Sequence, residues 1–410
     1  VIRRNIGVRF KEVRFKKMGM VNKIYRSRAF QDGDETALIS LYRHVTGRPR
    51  TLTQYRWEWL EPPEGRGSIW IIENSKNNEV VGHHGLIPIR LSCFGQSVFA
   101  GKTENTMVHP SHQGKLLYPM FEKKFMAEAK ARFELLYTTM GSGTPGKIRK
   151  YLGYFPVGAY VFYLQISRKA GLDRLARAVV GKKVKNKFIS RIALYGLKFL
   201  NCFLILLFPR RRPVDPSVQL NKVEDIDGFA KELDALWQRT RTRLGMTISR
   251  KSDYLKWRLF ENPNVPYDFY AATRSGRMVG YAAVKHGEEG EAAIVDLLAD
   301  NNETALFDAI LQGILKKLEE QKIDLILFPT LISRNSINTG LKRNGFRSLS
   351  SIMKLYSKIA KYEEPILLVK IFNEELDETK ISNPENWYFT GIFGEGLRHT
   401  YSLIRFLSDS

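Results

Sequence analysis

The 410-residue chain is long enough for two cores of roughly 150 residues each, and its 43% apolar and 12% aromatic content excludes a globally disordered protein. Its two cysteines, Cys93 and Cys202, stand far apart, which excludes a disulfide framework and the ligand spacing of a zinc site. A net charge of +23 would suit a nucleic-acid binder, but residues 1–23 carry +7 and residues 168–213 carry +12, so the remainder is close to neutral and specific nucleic-acid binding is not expected.

Residues 1–23 read as a basic arm, of which residues 1–17, ahead of Met18 and Met20, are alternatively an overrun of the gene start. They lack the apolar core and cleavage site of a signal peptide, so a cytoplasmic protein is expected. An early helical stretch containing Tyr55 and Trp57 then leads into SIWIIENSKNNEVVGHHG, whose apolar runs predict a hairpin turning at Asn77-Asn78. A strand over about 102–108, a helix over about 116–131 and a strand over about 134–140 follow. Phe121, Phe125 and Ala129 form one apolar stripe on that helix, which is a core face and not chemistry.

The same landmarks return later. Tyr55 and Trp57 reappear as Tyr254 and Trp257, Gly82 as Gly280, and Gly153-Tyr154 as Gly345-Phe346, at offsets of 199, 198 and 192 residues. The second copy carries a turn at Ser275-Gly276, a strand over about 291–298, a helix over about 303–320 with Leu311, Leu315 and Leu318 on one side, and a strand over about 323–328. This order predicts α/β architecture, two tandem mixed-sheet domains from a duplication. Residues 24–167 form the first, 214–360 the second and 361–410 a C-terminal extension. Between them, residues 168–213 are basic, then apolar over 192–208 except for Lys198 and Asn201. At seventeen residues that run is at the short limit for crossing a bilayer. Two readings stay open for it, docking in the interface of an anionic membrane and packing between the halves.

In TENTMVHPSHQGKLLYPMFEK, a strand ending at Val108 passes through His109-Pro110 and a polar turn into a helix. Helix N-terminal N–H groups have no partner within the helix, so such a junction can hold a pyrophosphate, with Gly114 allowing close approach and Lys115 adding charge. An ordinary helix start is an equal reading of the segment alone. It resembles the acyl-CoA loop of the GNAT superfamily of N-acyltransferases, V-x-P-x-x-R/Q-G-x-G-x-G/A. Val108, Pro110, Gln113, Gly114 and Lys115 match, while Leu116 and Tyr118 stand where later glycines are usual. The stretch from Asn335 to Phe346 is similar to that family's later helix and its closing Gly-Phe pair.

The resemblance implies two GNAT-like domains joined by a basic and apolar helical insert. It implies an acyl-CoA donor, acetyl-CoA or another, with no metal. The donor would lie on Met107, Val108, Gln113, Gly114, Lys115, Leu116, Leu117 and Tyr118. In the second copy, Asp300 and Glu303 stand where phosphates would lie, so that half is expected to be degenerate. Transfer to an amine needs a base. Glu104 leads, placed on the face of Thr106 and Val108 by strand alternation; a surface carboxylate beside Lys102 is its plain alternative. His83 and His84 point to opposite faces, so one of them at most enters the cleft. Arg149 occupies the place where the family often has a tyrosine acid, with Tyr151 two residues on, and no acid is assigned.

The expected activity is transfer of an acetyl or related acyl group from coenzyme A to a small-molecule or lipid-linked amine. A sugar amine of surface-polysaccharide assembly is the first acceptor considered, because Trp387-Tyr388-Phe389-Thr390 resembles a segment of double-length members met in such pathways. The protein would work in the cytoplasm or peripherally on the inner membrane face. A donor presented by an acidic carrier protein or tRNA, and a non-catalytic binding protein with decayed donor loops, remain as alternatives.

Overall fold

The structure, a computed structural model, describes residues 24–114, 117–139, 143–183, 195, 215–287, 290–300, 304–333, 335–355 and 364–394. The basic arm and, apart from Tyr195, the apolar run 192–208 lie outside the described residues, as do Lys115, Leu116 and Glu303.

The first half begins with β1 (Tyr25–Ala29), α1 (Glu35–Thr46) and α2 (Leu52–Trp59), then β2 (Ser68–Asn74), β3 (Val80–Cys93) and β4 (Gln96–Val108). Helix α2 starts where it does because the Thr51 hydroxyl accepts from the Gln54 N–H while the Gln54 side chain accepts from the Thr51 N–H. The predicted Asn77-Asn78 turn joins β2 to β3, with Asn78 at φ 57°. Then come α3 (Leu117–Ala129), β5 (Leu135–Thr138), α4 (Gly143–Tyr151), β6 (Phe155–Ile166) and α5 (Lys169–Lys183).

The second half repeats this plan. It contains β7 (Gln219–Val223), α6 (Ala230–Thr240), β8 (Met246–Ile248) and α7 (Ser252–Leu255), the last continuing as a π turn over Lys256–Phe260. After these come β9 (Tyr267–Arg274), β10 (Arg277–His286), β11 (Glu291–Ala299), α8 (Thr304–Glu320), β12 (Leu325–Leu331), α9 (Ser336–Arg343), β13 (Arg347–Ser348) and β14 (Ile366–Ile371).

All of these strands join one sheet in the order β1-β2-β3-β4-β5-β14-β6-β12-β11-β10-β9-β7, with β8 on β3 and β13 on β6. A repeated strand plan is visible in that order, since β1 to β5 run inward from one edge and β7, β9, β10, β11 and β12 run inward from the other. The repeated glycines hold equivalent positions, Gly82 opposite Val108 and Gly280 opposite Ala299. The halves meet through exchanged strands: β6 pairs with β12 of the second half, β14 pairs with β5 of the first, and β6 and β14 pair with each other.

Two cores flank the sheet. On one face, Leu117, Phe121, Phe125 and Ala129 of α3 pack on Trp70, Ile72 and Val81. On the other, Tyr55, Trp57 and Trp59 of α2 belong to a core that runs without a break to Tyr254, Trp257 and the second half. Each large apolar side chain so buried contributes about 1.5–3 kcal/mol.

Candidate active site

Strands β4 and β5 are parallel partners only where Ala100, Gly101 and Lys102 face Leu135, Leu136 and Tyr137. Beyond Lys102, β4 continues for six more residues to Val108 without β5 beside it, about 20 Å of strand. Met107, buried, and Val108, half-buried, lie on this diverging stretch. Past its end the chain makes a short 3-10 turn over Pro110–His112 and enters α3. The His109 N–H donates to the Val81 carbonyl, and the exposed Gln113 amide donates to the Val108 carbonyl at 3.1 Å. Gly114 has φ 76°, a left-handed conformation that a side chain disfavours. Helix α3, whose first N–H groups have no partner within the helix, thus begins shortly after the stretch of β4 that β5 does not flank. Of the candidate donor residues, Leu117 is buried in the α3 core, and Tyr118 is half-buried with its hydroxyl inside.

The alternation that put Glu104 on one face with Thr106 and Val108 is broken. Asn105 sits at φ 45°, and Asn105 and Thr106 together oppose His84 alone, which makes a bulge. Glu104 consequently faces α2, buried and paired with Lys102, while Thr106 faces α3 and touches His84. The bulge is pinned by Asn105. Its side-chain amide donates to both oxygens of Glu58 at 3.2 and 3.1 Å, and its carbonyl accepts from His83 at 2.7 Å. Glu58 also receives the Arg50 guanidinium. Sequence reasoning passed over Arg50, Glu58 and Asn105; an asparagine, tolerant of positive φ, interrupting a strand pattern was the available signal.

His83 and His84 do point to opposite faces. His83 lies edge-on to Trp59, and because a carbonyl only accepts, it must donate from Nδ1 to Asn105, leaving the Nε2 lone pair buried with no partner among the described residues. His84 stacks on Phe125, with Nδ1 3.1 Å from both Thr106 Oγ1 and Glu122 Oε2. Burial lowers both imidazoles to about 3, so both are neutral near pH 7 and weak as bases.

The α3 face of the gap holds a second charged group. Arg149 of α4, 3% exposed, donates from Nη2 to Thr106 at 3.1 Å and from Nη1 to Thr138 at 3.2 Å, with Nε 3.6 Å from Glu122. Burial opposes its charge, but Glu122 holds it protonated; burial in turn raises the Glu122 carboxyl. Tyr151 is 74% exposed and turned away.

On the α2 face, Glu58, Lys102 and Glu104 meet Tyr254, Trp257 and Arg258 of the second half around a cavity of about 10 Å³, room for one water. The Lys102 ammonium and the Arg258 guanidinium both donate to the Gly394 carbonyl, at 3.0 and 2.8 Å. A proton acceptor from one half and cations from both thus share one small space.

The second half has the equivalent gap, because β11 and β12 pair only over Glu291–Ala293 and Leu325–Leu327. There the gap is filled by residues 387–393. Thr330 of β12 donates to the Phe389 carbonyl, Tyr388 donates to the Leu297 carbonyl and Thr390 donates to Asp296 of β11. Gly391 passes so close that a Cβ would lie 3.0 Å from both Pro329 and the Val295 carbonyl. Asp300 is engaged by Arg239 at 2.9 Å.

Residues 26–154 match the model of an acetyltransferase (GNAT) domain. Among curated proteins none matches the chain in sequence. Solved structures resemble it in fold. A probable N-acyltransferase from Enterococcus faecalis is 13% identical, with TM-score 0.58 over 85% of this chain and 73% of its own. A GCN5-related N-acetyltransferase from Anabaena variabilis is 10% identical, with TM-score 0.56 over 85% and 73%. N-myristoyltransferase of Saccharomyces cerevisiae, solved with bound myristoyl-CoA, is 13% identical, with TM-score 0.51 over 85% and 82%. Residues 26–154 thus form an acetyltransferase (GNAT) domain, and the second half repeats its strand plan.

Proposed function

We propose that the chain transfers an acetyl or related acyl group from coenzyme A to an amine, with the donor in the gap of the first half. The observation that carries this is the stretch of β4 from Glu104 to Val108. It lies beside no β5 partner and leads directly to Gly114 and the α3 N-terminus. Pyrophosphate would lie over the backbone of Gln113 to Tyr118 and the pantetheine arm beside Met107 and Val108. The amine nitrogen attacks the thioester carbonyl, the C–N bond forms, the C–S bond breaks with its electron pair leaving on sulfur, and Glu104 takes the amine proton through the one water its cavity has room for. Backbone donors at the bulge would polarise the carbonyl. The second half, its own gap filled by residues 387–393, contributes Tyr254, Trp257 and Arg258 to the wall of that water-sized cavity beside Glu104.

The acceptor we favour is a sugar amine, small or lipid-linked, of surface-polysaccharide assembly, met in the cytoplasm or at an anionic membrane surface. The basic residues of 168–213 favour a second reading, in which an acidic carrier protein presents the acyl group. Titration of the chain and of its Gly114→Asp variant with coenzyme A tests the donor site. The variant should retain its thermal transition and lose binding. Equal affinity in the two would move the donor elsewhere, and saturable binding of an acylated carrier without any of coenzyme A would favour the second reading.

A further inference from the structure

Resting on that donor assignment, we infer that Arg149 is the floor of the first-half gap and limits the donor to short acyl groups. Moving from the α3 N-terminus toward the apex at Lys102 and Tyr137, a donor runs along Val108 and Met107 and then reaches Thr106. At that level the Arg149 guanidinium spans the gap, one arm on Thr106 of β4 and the other on Thr138 of β5. It is fixed from a third side by Glu122 of α3, and its guanidinium carbon lies 5.9 Å from the Tyr118 ring centre. Both walls are thus joined before the strands meet.

A hydrocarbon tail has two ways past this point. One is to displace Arg149, which strips a buried guanidinium of its partners and leaves Glu122 buried without its cation. The other is to turn around the bulge into the cavity beside Glu104, which has room for one water and is walled by Trp57 and Trp257. Neither accepts more than a few carbons. In an open apolar channel every added methylene strengthens binding, so the floor predicts the opposite trend with chain length.

The test is binding of coenzyme A, acetyl-CoA and octanoyl-CoA to the full chain by calorimetry. Octanoyl-CoA should bind at least tenfold more weakly than acetyl-CoA, which should match coenzyme A within a few-fold. In the Glu122→Gln, Arg149→Met double variant, which removes the buried pair together, the difference should vanish or reverse. Thr138→Ala frees one arm of the guanidinium without unpairing a charge, and serves if the double variant does not fold; there the difference should shrink. Octanoyl-CoA binding to the wild type as tightly as acetyl-CoA would overturn the inference, as would an unchanged difference in the folded variants. Failure of coenzyme A itself to bind would instead remove the donor assignment, and the inference with it.

Discussion

The indole N–H of Trp57 donates to the backbone carbonyl of Trp257 at 2.9 Å, and the indole N–H of Trp257 donates to the carbonyl of Trp57 at 3.0 Å. The two rings stack with centroids 5.0 Å apart and planes 21° from parallel. This reciprocal pair, 200 residues apart, marks the local twofold relation between the halves. Replacing Trp57 with phenylalanine removes one donor and leaves a buried carbonyl, a cost of about 1–3 kcal/mol, and alanine should cost about 3–5 kcal/mol. In a double-mutant cycle of Trp57→Phe and Trp257→Phe, denaturant unfolding should show coupling of about 0.5–3 kcal/mol. Strict additivity would mean that the halves are stabilised independently.

Glu104→Gln keeps the shape of the buried carboxylate and removes its basicity. Turnover should fall by about 10²- to 10⁴-fold while donor affinity stays the same, because a base acts in the transition state and the donor is held elsewhere. Steady-state kinetics beside donor titration reads both. Unchanged turnover in the folded variant would make Glu104 a structural partner of Lys102.

Buried neutral histidines tie stability to pH. The folded values of His83 and His84 lie near 3 and the unfolded value near 6.5. Between these limits the unfolded chain binds more protons, so stability is fully present above about pH 6.5 and is lost as pH falls toward 3. Each histidine contributes a slope of about 1.4 kcal/mol per pH unit in that window. Midpoints of urea unfolding from pH 7 to 5 should fall, and His84→Gln should flatten the fall. Titration of either imidazole near pH 6.5 in the native protein by NMR would contradict the burial described.

The filled gap of the second half predicts one donor per chain. Calorimetry with coenzyme A should give a stoichiometry of one. Gly391→Val should destabilise by about 1–3 kcal/mol through overpacking against Pro329 and Val295. A second equivalent of donor bound by the wild type would show that residues 387–393 yield to ligand.

For the basic segment, the first turns of α5 are docked, with Leu172, Leu175 and Ala176 buried and Arg174 3.4 Å from Asp324. Deleting the whole of 168–213 would therefore damage the fold. Changing Lys182, Lys183, Lys185 and Lys187 to glutamate is the cleaner test of membrane docking, since each cation near an anionic surface contributes about 1 kcal/mol. The wild type should sediment with anionic vesicles at low salt and the variant should not. Equal behaviour would assign these lysines to solvent.

Most of the architecture was legible from local pattern. The α3 helix predicted over about 116–131 runs from 117 to 129, and the strand predicted over about 323–328 runs from 325 to 331. The repeat was legible because glycine and tryptophan landmarks report local constraints that survive divergence. What escaped was not local. A single bulged residue, Asn105, reverses the facing of everything after it, so alternation placed Glu104 with Thr106 wrongly. Arg149 was noticed as a departure from the family, but its reach to both walls depends on the angle of α4 to the sheet, which no spacing encodes.

The exchange of β6 and β14 bears on how the chain is made. During synthesis, β5 has no neighbour on its inner edge until residues 366–371 leave the ribosome, more than 200 residues later. A bare strand edge is an invitation to pair with other chains. Long-range closure of this kind also slows folding and prolongs the exposure of partly formed sheets. An expressed fragment ending at residue 167 would carry the donor gap but keep that edge open, with β6 lacking β12 and β14, so it should aggregate or recruit a second copy to complete its sheet.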